Sequence, residues 1–232
     1  MFIVSFPSGA WQANCYIIAS ENSDISPRPA IVIDPGMDSK ATLDSYCKEH
    51  DLVLEAVIAT HGHVDHIADG AAIANERSIP FYLHRDDHFM LTEPARGLGE
   101  GSEDLIRNLL GTTTLPMPHD LRCIEDGLTI SHAGVEFSAV HCPGHSPGSV
   151  VLIGTHQSKQ VVLSGDVLFA SSVGRVDLPG GDARQMISSL RKLDEILADD
   201  AAILPGHGAS TVMEIERHMN PFLKEALGSV SS

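Results

Sequence analysis

No stretch of the 232-residue sequence approaches a membrane span, which needs about 18 consecutive apolar residues. Residues 1–10 lack a basic leader followed by a long apolar segment, so no signal peptide is expected. Positive charge is scarce. Fifteen Lys and Arg stand against 31 Asp and Glu, a net charge of −16. An acidic surface repels phosphate backbones, which argues against nucleic acid as a partner but not against a local basic pocket. The four cysteines, Cys15, Cys47, Cys123 and Cys142, form no Cys-x-x-Cys pair. Reduced, mostly buried thiols in a cytoplasmic protein are therefore expected, not a disulfide framework. No internal repeat, linker or low-complexity run divides the chain. Hydrophobic residues at 43% and charged residues at 20% suit one soluble globular domain over residues 1–232.

What the sequence has is concentrated in Thr60-His61-Gly62-His63-Val64-Asp65-His66. Three imidazoles and a carboxylate follow the short apolar run 54–59, whose Val57 and Ile58 read as a buried strand. Gly62 is expected to let the backbone turn tightly. Alternation along an extended segment puts His61 and His63 on one side. Asp65 and His66 follow as the chain turns away. One stretch can thus supply two metal ions about 3.5–4 Å apart.

Strands are expected at 15–19 and 30–34, paired across the loop 20–29, and again at 54–59, 81–84, 128–130, 135–140, 150–153, 161–163 and 202–204. Helices are expected from a cap at Asp38 or Ser39 to about residue 50, at 67–77, at 103–110, after a capping box at Asp182 and Gln185, and at 212–227. Residues 86–126 are the least regular part. They read either as a lid or substrate loop or as a plain surface excursion. Strands first and last, with helices between, suit two sheets covered by outer helices.

Several strands end alike, in a turn residue beside a metal-competent side chain: Thr60-His61, Gly144-His145, Gly165-Asp166 and Gly206-His207. Imidazole and carboxylate suit zinc, iron or manganese, and the absence of cysteine from this set speaks against a thiolate-rich structural zinc site. These motifs resemble the metallo-β-lactamase superfamily over essentially the whole chain. The resemblance implies an α/β fold, a four-layer αββα sandwich, with a dinuclear centre at the sheet edges. It implies that His61, His63 and His145 hold one metal, that Asp65, His66 and His207 hold the other, and that Asp166 bridges them. Two divalent ions, zinc first, follow from it. His141 reads instead as a strand-end residue, and His50, His84, His88, His119, His132, His156 and His218 as structural. Asp34 either hydrogen-bonds a ligand histidine or simply forms its turn.

The stretch from Gly165 to Asp182 further resembles hydroxyacylglutathione hydrolases, particularly their compact single-domain relatives. That implies a small anionic thioester such as S-lactoylglutathione as substrate, with Arg175 on its anionic part. A salt bridge from Arg175 to a nearby aspartate is the structural alternative. Asp177 departs from the aromatic residue of two-domain members. Asp65 and Asp166 are the expected catalytic carboxylates, since metal-activated water gives hydroxide near neutral pH. A thiolate leaves without a proton donor, whereas an amide nitrogen needs one. The rival reading is a mononuclear-iron persulfide dioxygenase of the same fold, with iron on His61, His145 and Asp166. A non-catalytic binding module would predict lost ligands, and none is lost.

Overall fold

The computed structural model describes residues 1–21 and 25–228. Six strands form the first sheet in sequence order: Phe2–Ser8 (β1), Ala13–Ala19 (β2), Arg28–Ile33 (β3), Leu52–Ile58 (β4), Phe81–His84 (β5) and Leu121–Ile124 (β6). β1, β2 and β3 pair antiparallel, whereas β3 to β6 run parallel. A parallel neighbour needs a crossover. Between β3 and β4 it is the helix Lys40–Glu49 (α1), which buries Leu43 and Cys47 on the sheet. Between β4 and β5 it is Val64–Ile67 (α2) followed by Gly70–Arg77 (α3). Glu103–Leu110 (α4) lies between β5 and β6.

The second sheet contains Thr129–His132 (β7), Val135–His141 (β8), Val150–His156 (β9), Lys159–Gly165 (β10), Ala202–Pro205 (β11) and Thr211–Val212 (β12). Its pairs are antiparallel except β10 with β11, which the helix Ala183–Ile196 (α5) connects. Met213–Met219 (α6) and Pro221–Ala226 (α7) end the described chain.

Side-chain alternation sorts the strands into layers. Tyr16, Ile18, Ile31, Ile33 and Ile58 of the first sheet meet Phe137, Ala139, Val150, Leu152 and Leu163 of the second in one buried cluster. The opposite faces carry Cys15, Ile17, Ala30 and Val32 under α1 and α3, and Val151, Val162 and Ile203 under α5 and α7. The architecture is thus helix, sheet, sheet, helix, as expected. Cys15, Cys47 and Cys142 are buried, Cys123 is half-buried, and all four are free thiols. No helix among the described residues is long and apolar enough to cross a membrane.

The differences from the sequence reading have local causes. Strands β1, β6 and β12 are additions; β6 lies inside the irregular stretch 86–126, and β12 takes Val212 from the start of the expected terminal helix. Neither Asp38 nor Ser39 caps α1. Asp69, brought in by α3, accepts the Lys40 N–H at 2.9 Å instead. The expected helix 67–77 is split between α2 and α3. The terminal helix breaks at Asn220, extended at ψ 114°, because Pro221 follows it. Asn220 then caps α7, accepting from Phe222 and Leu223. Part of the 20–29 loop, residues 22–24, lies outside the described residues.

Candidate metal centre

Four loops from the two sheets converge on one rim. His61 and His63 follow β4, and Asp65 and His66 begin α2. His145 sits between β8 and β9, Asp166 directly follows β10, and His207 follows β11. All seven residues named from the sequence meet here. Ligand-competent atoms of His61, His63 and His145 lie within 4.8 Å of one another, as do those of Asp65, His66 and His207, and those of His61, His66 and Asp166. Asp166 stands between the sets. Its Oδ2 is 3.5 Å from His145 Nε2 and 3.6 Å from His207 Nε2, and its Oδ1 is 3.5 Å from His66 Nε2.

Backbone packing makes this approach possible. A Cβ at Gly206 would lie 2.1 Å from Asp166 Oδ1, so the Pro-Gly-His207 turn can press against the carboxylate only through glycine. Gly62 is needed for the same reason rather than for a tight turn. A Cβ there would lie 2.7 Å from Met90 Cε and 2.9 Å from Asp87 Cβ.

The hydrogen bonds behind the rings fix which nitrogens point inward. His145 Nδ1 faces the Arg175 carbonyl at 2.8 Å. A carbonyl only accepts, so Nδ1 carries the proton and Nε2 presents its lone pair. Asp34 does the same for two rings. Its Oδ2 accepts from His66 Nδ1 at 3.0 Å and from the Thr60 hydroxyl at 2.7 Å. That hydroxyl in turn lies 3.1 Å from His61 Nδ1, leaving His61 Nε2 free to face the centre. Asp34 is therefore more than a turn residue.

His61 Nε2, His63 Nε2 and Asp166 Oδ1 are buried without a hydrogen-bond partner. An unpartnered buried polar atom costs about 1–3 kcal/mol. Three within one cluster of imidazoles and carboxylates fit a site for divalent ions, and the donor chemistry fits zinc, iron or manganese.

The electrostatics divide the cluster. Burial and the neighbouring imidazoles hold His61 well below the usual histidine range, and burial with His145 holds His63 down at about 3. Burial acts the same way on His66, but Asp65, Asp166 and Asp34 outweigh it and raise the ring to about 10. His207, despite its burial, is raised by Asp65 at 3.1 Å and by Asp166. Asp65 is buried, yet His66 and His207 hold its carboxyl below the usual range.

A cleft of about 580 Å³ opens over the centre. Trp11, Leu98, Leu105, Phe169 and Leu178 give it apolar walls, and His63, Asp65, His145, Asp166 and His207 border it. Leu98, Ser102 and Leu105 come from the irregular stretch 86–126, so its first half walls the cleft while β6 extends the sheet. Arg175 also lines the cleft, and its guanidinium is held by Asp177 through two hydrogen bonds of 2.7 Å. His141 ends β8 outside the centre. It stacks on His84 at 4.2 Å and contacts the Pro147 carbonyl at 2.8 Å. Thr60 reads from the sequence only as a turn residue, and nothing in the spacing of Trp11 or Phe169 distinguishes them from core residues.

Comparison with known proteins places this geometry. A family model described as the metallo-beta-lactamase superfamily matches residues 8–207. The hydroxyacylglutathione hydrolase GloC of Haemophilus influenzae is 32% identical over 227 residues, 96% of this chain and 98% of that one. The crystal structure of the BLEG-1 B3 metallo-beta-lactamase superposes with a TM-score of 0.79 at 34% identity, covering 96% and 99% of the two chains. That of TTHA1623, solved in a di-iron-bound form, gives 0.76 at 31% identity, covering 96% and 100%. Two sheets that bring imidazoles and carboxylates to a shared rim, a family match across that rim and relatives of equal length lead to one conclusion: the chain belongs to the metallo-beta-lactamase superfamily of metallo-hydrolases.

Proposed function

We propose that the protein is a one-domain, dinuclear thioester hydrolase of the cytoplasm, acting on a small anionic thioester of the S-lactoylglutathione type. The observation that carries this reading is the pair of donor sets, His61, His63, His145 and Asp65, His66, His207, sharing Asp166. The GloC relative supports the substrate class. Bound divalent ions, zinc first and iron or manganese otherwise, would lower the pKa of water toward about 7 and polarise a carbonyl.

The chain's own residues do the rest. Asp65 stays ionised at neutral pH and can orient a water at the centre through its carboxylate. Asp166 holds the two sets in one frame. The apolar walls from Trp11, Leu98 and Phe169 lower the local dielectric on one side of the centre, which strengthens charge interactions there. Arg175 offers the cleft a cation for the anionic end of the substrate. The leaving thiolate, with a pKa of about 8.5 for a simple thiol, needs no proton donor. A lactam nitrogen would need one.

The test pairs elemental analysis with hydrolysis of S-lactoylglutathione against a panel of small esters and lactams. Two metals per chain and a preference for the thioester are expected. One iron per chain, with oxygen uptake on glutathione persulfide, would replace this reading by the dioxygenase.

A further inference from the structure

Arg85–Met90 forms a short 3-10 turn after β5 and buries Asp87 completely. Its carboxylate lies between the two loops that carry the imidazole-rich donor set. One oxygen accepts the Gly62 N–H at 2.7 Å and the Ser146 hydroxyl at 2.7 Å. The other accepts the Gly148 N–H at 2.7 Å. Gly62 separates His61 from His63, and Ser146 directly follows His145. The loops close tightly around this side chain. A Cβ at Gly62 would lie 2.9 Å from Asp87 Cβ, and one at Gly148 would lie 2.7 Å from Asp87 Cγ. Both loop glycines therefore leave the space that Asp87 fills. The loops also meet through Val150 N–H and the Thr60 carbonyl at 2.8 Å. That bond lies at the strand ends, whereas Asp87 reaches Gly62, between two of the rings, and Ser146, beside the third.

We propose that Asp87 is a positioning residue for the imidazole-rich metal position: it sets His61 and His63 against His145 and so sets that position's affinity, without touching metal or substrate. The proposal rests on the metal-binding reading of the three imidazoles. Three donors converge on two carboxylate oxygens, and an amide cannot replace them. In Asp87→Asn one oxygen remains to accept. In either amide orientation the –NH₂ opposes an N–H, leaving Gly62 or Gly148 unpaired. The backbone between the rings then loses its fixed spacing, and the metal meets a set that must be reordered.

The experiment titrates the protein with Zn²⁺ against a chromophoric chelator. Each variant is also tested in a His207→Ala background, which leaves the imidazole set intact. Asp87→Asn should weaken this position by about 10- to 100-fold, the range for groups that orient ligands. The Asp65, His66, His207 position should change far less. Ser146→Ala, which removes one of the three bonds, should weaken it by less. It serves as the reading if Asp87→Asn does not fold. A variant that unfolds at lower temperature but keeps wild-type Zn²⁺ affinity at the imidazole set overturns the proposal, since Asp87 is then merely structural. A wild-type chain that takes one ion defeats the dinuclear reading alone, and the effect of Asp87 is then read on that ion.

Discussion

The rings of His61 and His66 are 4.2 Å apart, and both are buried, yet their surroundings push them in opposite directions. His61 has imidazoles for neighbours and is held neutral. His66 has three carboxylates and is held protonated up to about 10. Burial alone would treat them alike. The difference lies in which loops each ring meets: the imidazole-only set joins β4 to the β8–β9 turn, and the acid-rich set joins α2 to the end of β11. The lesson is that one short motif can serve two chemically unlike positions, because the rest of each position is supplied from elsewhere in the chain.

The strongest way to break this division is to remove the residue common to both sides. Asp166→Ala should cost on the order of 10³-fold in kcat/KM on the thioester, the upper range for one preorganised electrostatic group. His141→Ala, outside the centre, should cost far less. Comparable losses would mean that the division between ligands and bystanders is drawn in the wrong place.

Asp34→Ala tests the support beneath both sets. It removes the acceptor for His66 Nδ1 and for the Thr60 hydroxyl. A loss of about 10- to 100-fold in metal affinity is expected, measured by chelator competition. The loss should be greater at the acid-rich position, where Asp34 contacts the ring directly.

The pH dependence of metal binding sharpens the contrast without a mutation. At pH 7 His66 lies below its raised pKa of about 10 and holds a proton that an incoming ion must displace. Affinity at the acid-rich position should therefore rise by about tenfold per unit as pH climbs from 7 toward 10, and fall as pH drops. His63, at about 3, is already neutral, so the imidazole-rich position should bind with nearly constant affinity across the same window. Calorimetry in buffers of different ionisation enthalpy would count the protons released. Equal release from both positions would remove the distinction.

The smallest effect is expected at the cleft wall. Arg175 and Asp177 are 61% and 66% exposed, and exposed ion pairs contribute at most about 1 kcal/mol. Arg175→Ala should raise KM for S-lactoylglutathione by about two- to fivefold with kcat intact, and leave a neutral thioester unchanged. Asp177→Asn, which frees the guanidinium, should lower KM for the anionic substrate. Equal effects on both substrates would make the pair structural.

The residues that meet at the rim were legible because imidazoles and carboxylates at strand ends stand out as short patterns around Gly and Pro. The layered fold was legible from apolar runs such as Val57-Ile58 and the stripe from Met186 to Leu193. Asp87 was not, although it holds two loops together. Its partners are backbone N–H groups and a serine, which leave no mark in a sequence. The cap on α1 was hidden for a similar reason: Asp69 acts from another helix, 29 residues away from Lys40. The strand β6 was hidden by length, since four residues at a sheet edge have no distinctive period.

The loop carrying His207 is stitched to the other sheet. Asn14 donates its backbone N–H to the Gly206 carbonyl and its side-chain amide to Pro205 and Gly208, and Tyr16 donates to the Pro205 carbonyl. During synthesis, strand β2 is made well before its partner loop, and His66 precedes His207 by 141 residues. At about 5–20 residues per second, the ribosome delivers the second ring roughly 7–30 s after the first. For that interval the nascent chain presents Asp65 and His66 without the ring that completes their set, whereas His145 joins His61 and His63 before it ends. If the acid-rich set takes its ion only when complete, selection there waits for His207 while the imidazole-rich set can already fill, which makes metal choice a matter of timing as well as affinity.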